Sequence, residues 1–129
     1  MSVIDPNSWQ SLRTVEVRDG KATVNNINEL EIIKSDDETI SGYVFANKLG
    51  ENYIYMIKVE SGEVVAKWNF AKLANINDKD VSFLSESVSY NFNSVLNGIA
   101  YYEPNDSFLI SGKLWDYIFE VNINYRDYL

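Results

Sequence analysis

The chain contains no cysteine and no histidine. Without cysteine there is no disulfide, no thiolate nucleophile and no thiolate metal site, and the redox compartment stays open. Without histidine, the charge-relay arrangement of serine and cysteine hydrolases and the ordinary zinc sites cannot be assembled from this chain alone. Glycine numbers only six and proline two. The glycines punctuate turns and form no phosphate-binding loop. No stretch approaches the roughly 20 apolar residues of a membrane helix, and the first residues, MSVIDPNSWQ, have neither a basic start nor an apolar run. Neither a membrane partner nor an export signal is expected, although a mature form whose leader was removed would look the same, so localisation stays open. Positive charge is scarce as well. Eleven Lys and Arg face 19 Asp and Glu, giving a net charge of -8 spread along the chain, a surface that repels nucleic acid.

What is present points to β structure. Apolar residues make up 46% and aromatics 14% of the 129 residues, with nine Tyr and three Trp, a mixture suited to half-buried pleated surfaces. The length corresponds to one domain that buries about two thirds of the surface of its unfolded chain.

Ser2 to Ile4 reads as a short strand ending at Asp5, Pro6 and Asn7. Leu12 to Val17 follows, with Leu12, Thr14 and Glu16 on one face and Arg13, Val15 and Val17 on the other, before a turn at Asp19 and Gly20. From Asn28 to Val59 come NELEII, a polar turn at Asp36 to Glu38, then ISGYVFANKL and YIYMIKV. A turn at Ser61 to Glu63 leads to a fourth strand, Val64 to Phe70. Ala71 to Ala74 is expected to turn briefly helical. Asn75 to Asn93 is a polar connection with Phe83, Leu84 and Val88 as anchors. Leu96 to Ile123 then repeats the earlier plan, with strands at Ile99 to Tyr102, Phe108 to Ser111 and Tyr117 to Ile123, and a loose tail at Tyr125 to Leu129.

Asn28 answers Asn97, Lys48 and Leu49 answer Lys113 and Leu114, and Tyr53 and Ile54 answer Tyr117 and Ile118. The repeat period is roughly 65 residues, and repeated four-stranded antiparallel units are the signature of propeller blades. The expected fold is all-β, a partial β-propeller of about two blades. Residues 1–20 form the outer strands of an incomplete blade, residues 28–70 a complete blade, and residues 94–124 a last blade of three strands.

NELE at Asn28 to Glu31, AN at Ala46 and Asn47, Ser61 and Gly62 before Val64 and Val65, LNGIAY at Leu96 to Tyr101, SGKLW at Ser111 to Trp115 and the following FEV resemble the glutaminyl-peptide cyclotransferases of plant and bacterial type. The likeness runs from about Val3 to Ile123. That family is built on five-bladed propellers, and this chain resembles its C-terminal half. The resemblance implies that the α-amine of an N-terminal glutamine attacks its own side-chain amide carbonyl, giving pyroglutamate and releasing ammonia, without metal or cofactor. Such chemistry needs a carboxyl group to shuttle the proton, donors for the amide oxygen and an aromatic pocket that excludes water. The family's carboxylate lies in its early blades, which this chain does not match.

Carried over residue by residue, the resemblance implies a catalytic lysine at Lys113 and substrate contacts at Asn28, Leu49 and Asn97. Each has a plainer reading beside it. Asn28 also suits a turn cap and Asn97 a strand start before glycine, while Lys113 also suits a solvated strand end. Leu49 departs from the family pattern, which has tryptophan there, and loses apolar area and cation-π attraction worth on the order of 1 kcal/mol. Trp115 reads first as blade packing, and Glu29 and Glu31 alternate with Leu30 and Ile32. Asp36, Asp37 and Glu38 lack the ligand pattern of a calcium loop and read as a solvated turn.

Two functions follow: a glutaminyl-peptide cyclotransferase acting on peptides with N-terminal glutamine, or a non-catalytic half-propeller that binds or scaffolds. A half-propeller exposes open strands. Two copies of about nine strands approach the roughly 20 of five four-stranded blades, so a homodimer or a complementary propeller chain is the expected partner.

Overall fold

The computed structural model describes residues 1–33, 38–74, 76 and 95–129. Among these, β1 (Ser2–Ile4) pairs antiparallel with β2 (Ser11–Thr14), and β3 (Arg18–Asp19) pairs with β4 (Ala22–Thr23) around Gly20, which adopts φ +60°. A four-stranded antiparallel sheet follows in the order β5 (Ile27–Glu31), β6 (Tyr43–Lys48), β7 (Tyr53–Lys58), β8 (Val64–Asn69). The last sheet has three strands, β9 (Leu96–Tyr102), β10 (Ser107–Gly112) and β11 (Phe119–Val121). Both sheets are simple meanders, as the repeat implied.

The sequence of each strand fits its place. In the centre of the larger sheet, β6 and β7 are buried on both faces except at their ends, which explains why YVFANK and YIYMIK read as nearly continuous apolar runs. Phe45, Asn47, Ile54 and Met56 lie on one face; Val44, Ala46, Tyr55 and Ile57 lie on the other. The first face packs against Leu96, Ile99, Phe108, Ile110 and Tyr125. Phe45 sits 4.8 Å from Phe108 and 5.6 Å from Tyr125, centroid to centroid, and each such aromatic pair contributes about 0.5–1.5 kcal/mol beyond its buried area. The second face is covered by the N-terminal segment, with Val17 buried against Val44 and Ile57. Val15 and Val17 are buried and Leu12 and Glu16 exposed, the alternation expected for that stretch.

The N-terminal segment is also pinned by polar ties. Arg13 donates to the carbonyls of Glu60 and Val59 at 2.9 and 3.1 Å, Arg18 N–H donates to Gly62 C=O at 2.9 Å, and Lys67 pairs with Asp19. This docking requires glycine at position 62: φ is +78°, and a Cβ there would stand 2.0 Å from the Glu16 carbonyl oxygen.

Four expectations change. Ile40 and Ser41 end a short helix, α1 (Glu38–Ser41), and β6 starts only at Tyr43; Ile40 is buried because it anchors that turn in the core. Tyr117 and Ile118 are exposed and precede β11, which is limited to Phe119–Val121. The tail is not loose. Residues Tyr125–Tyr128 form a 3₁₀ turn whose Tyr125 is 2% exposed in the core. Finally, eleven strands rather than nine occur among the described residues, the additions being β3 and β4. Residues 71–74 do form a helical turn. Phe83, Leu84 and Val88 lie outside the described residues, as do Asp36 and Asp37.

Candidate functional site

In an ordinary ladder Ile27 and Leu30 would face positions three apart on β6, but they pair with Lys48 and Ala46. One extra residue is therefore accommodated in β5 around Asn28. The same happens in β9, where Leu96 pairs with Gly112 and Gly98 with Ser111, leaving Asn97 as the extra residue. The first strand of each sheet thus carries a bulge at the same place, and bulges re-aim the side chains they contain. Here the two asparagines turn toward each other, and Asn28 Nδ2 donates to Asn97 Oδ1.

The bulges are supported from beneath by Asn47. Its side chain is fully buried; Oδ1 accepts from the Glu29 N–H at 2.8 Å, and Nδ2 donates to the Leu96 carbonyl at 2.6 Å. A further link lies along the same pair of strands, where Glu31 accepts from the Tyr101 N–H at 2.7 Å. These side-chain bonds join β5 to β9, strands that belong to different ladders.

Leu49 and Lys113 occupy equivalent turns at this end. Leu49 N–H donates to Asn26 C=O, and Lys113 N–H donates to Val95 C=O, both at 2.9 Å. Asn26 and Val95 each lie two residues before a bulge asparagine, so the four candidate residues share one end of the paired sheets. The structural repeat consequently sets Leu49 against Lys113, and Gly50, with φ +87°, against Leu114, with φ +59°. This is one residue away from the alignment of Lys48 and Leu49 with Lys113 and Leu114 expected from sequence. Lys113 is exposed on its turn, and Leu49 is 43% exposed. Trp115 packs against the core, edge to face with Phe119 at 5.9 Å.

The carboxylate in the β6–β7 turn is already engaged. Glu51 pairs with Lys48 and accepts from Tyr55 Oη at 2.8 Å. The Lys48 hydrogen bond holds its carboxyl below the usual range, so it stays ionised and is poorly suited to carry protons near neutrality. Burial, followed by the Glu51 hydrogen bond, pushes the Tyr55 hydroxyl up. Among the described residues no three acidic side chains converge as metal ligands would.

Comparison with known proteins places these meanders in a family. The family model for glutamine cyclotransferase matches residues 1–123. This chain belongs to the glutamine cyclotransferase family. The crystal structure of Myxococcus xanthus glutaminyl cyclase superposes with a TM-score of 0.71 at 25% sequence identity, covering 94% of this chain and 46% of that one. The chain therefore spans about half the length of this solved relative. No curated protein matches it. The all-β architecture of antiparallel meanders described above corresponds to about half of that relative's propeller-like fold.

Sequence reasoning singled out Asn28 and Asn97 and treated Asn47 only as a landmark. The available signal for Asn47 was a polar residue in the middle of YVFANK, an apolar run buried on both faces.

Proposed function

We propose that this chain forms the substrate-holding half of a glutaminyl-peptide cyclotransferase, acting on peptides with N-terminal glutamine to give pyroglutamate and ammonia. The observation that carries the reading is the contact between Asn28 and Asn97 at the end of the two inner strands. Two neutral amides can between them donate to the substrate's amide oxygen and accept from its ammonium or amide N–H. Lys113, on the equivalent turn, adds a positive charge for the oxygen as negative charge develops there. Glu51, tied to Lys48 and Tyr55, is not assigned the proton shuttle; in this reading a complementary part of the propeller supplies that carboxylate.

Residues 1–20 serve in this reading as outer strands of a blade, residues 28–70 as a full blade and residues 94–124 as a three-stranded one. Space for further strands lies beside β5. A cavity of about 540 Å³ is lined by Thr14, Val17, Val24, Ile27 and Leu30 among others, and Leu30 and Ile32 are each 52% exposed. A second copy of the chain, or complementary propeller strands, fills it.

The alternative is a half-propeller that binds peptides without turnover. It draws support from Leu49, which offers no aromatic face to the substrate. Ammonia release from a glutamine-initiated peptide, compared between the wild type and Lys113→Ala, separates the two. Release that falls in the variant supports the cyclotransferase; binding without release in either protein supports the module.

A further inference from the structure

We propose that Asn47 is a positioning residue of this site, and that its buried amide sets the orientation of both Asn28 and Asn97. The inference rests on the reading of those two side chains as substrate contacts.

The geometry is specific. The Glu29 N–H that Asn47 accepts belongs to the peptide following Asn28, and the Leu96 carbonyl to which it donates belongs to the peptide preceding Asn97. One amide therefore grips the backbone on either side of the two facing side chains, one in each blade. A bulge leaves backbone groups without ladder partners, and beside Asn47 and Leu96, both fully buried, such groups need replacements. The partners also fix which way the amide points, since an N–H requires an acceptor and a carbonyl requires a donor.

No other common side chain of this size meets both demands. Aspartate keeps the acceptor for Glu29 and loses the donor for Leu96; leucine loses both. At the structurally equivalent place in the second sheet stands Ser111, whose hydroxyl lies over Gly98, so that a Cβ on Gly98 would meet Ser111 Oγ at 2.3 Å. The bridge between blades is therefore made from one side only, by the first blade reaching to the second.

The test uses ¹⁵N-labelled full-length chain. In Asn47→Asp, the Asn97 side-chain amide resonances should shift while the Glu29 amide remains protected from exchange. In Asn47→Leu, both the Asn28 and Asn97 resonances should shift and Glu29 exchange should accelerate about tenfold or more. Should the aspartate variant not fold, Asn47→Ser provides the comparison and should behave as leucine does. If folded variants leave both asparagine resonances in their wild-type positions, the proposal fails. Where the wild type turns over peptide, Asn47→Asp should raise KM about tenfold, and the double variant with Asn97→Ala should be no worse than the more impaired single variant. Additive losses would overturn the positioning role. A wild type without turnover removes the cyclotransferase reading and leaves the resonances to decide the role of Asn47.

Discussion

Asn28 donates a hydrogen bond to Asn97, its own counterpart in the repeat, across a sequence separation of 69 residues. The two residues stand at matching bulges of β5 and β9, so this bond ties the first strand of one sheet to the first strand of the other. It is an exposed contact between neutral groups, worth about 1 kcal/mol or less. Asn28→Ala and Asn97→Ala should each lower the urea midpoint only slightly, by no more than that amount in stability, while each weakens peptide binding. A midpoint loss several times larger would assign the pair to scaffolding.

Leu114 holds φ +59° where its counterpart Gly50 holds +87°, and it is 63% exposed. A branched side chain in that region is strained, and little packing opposes its removal. Leu114→Gly should raise stability by about 0.5–1 kcal/mol in denaturant titration. The strained residue adjoins Lys113, so the substitution should also loosen the turn and alter turnover.

Gly62→Ala is expected to act in the opposite direction. Its Cβ would meet the Glu16 carbonyl oxygen at 2.0 Å and Val15 Cγ1 at 2.7 Å, at a positive φ, and the N-terminal segment would have to lift from the β7–β8 turn. A loss of about 3 kcal/mol or more is expected from the urea midpoint.

Asp106 ties the β9–β10 turn to the C-terminal turn. It accepts from Tyr101 at 2.8 Å and from Tyr125, and pairs with Arg126 at 2.9 Å. The Arg126 hydrogen bond is the main cause holding its carboxyl down to about 2 from 3.8. A depressed folded value means the stabilisation is fully present above pH 3.8 and is lost as the pH falls through about 2. The carboxylate is 44% exposed, so screening reduces the contribution to about 1 kcal/mol. Urea midpoints measured from pH 5 down to about pH 2 should therefore fall more steeply for the wild type than for Asp106→Asn.

The meanders were legible because β6 and β7 are long, apolar and bounded by turn residues, and because Asn28 and Asn97 head similar strands. Ile40 was misplaced because a short apolar run signals burial without distinguishing a strand from one turn of helix. Tyr125 was missed for a different reason. Its burial depends on Phe45 and Phe108, distant in sequence, and no local period records such a contact. The bulges were illegible as well, since a one-residue offset between strands shows only in the pairing. That offset is what turns Asn28 toward Asn97 and aligns Leu49 with Lys113.

The most direct test follows the mass of a peptide beginning with glutamine during incubation with the chain in its assembled state. That peptide should lose one ammonia above the spontaneous rate, slowed about tenfold or more by Asn28→Ala and by Asn97→Ala with stability nearly unchanged. Loss at the spontaneous rate, indifferent to either substitution, would contradict the cyclotransferase reading.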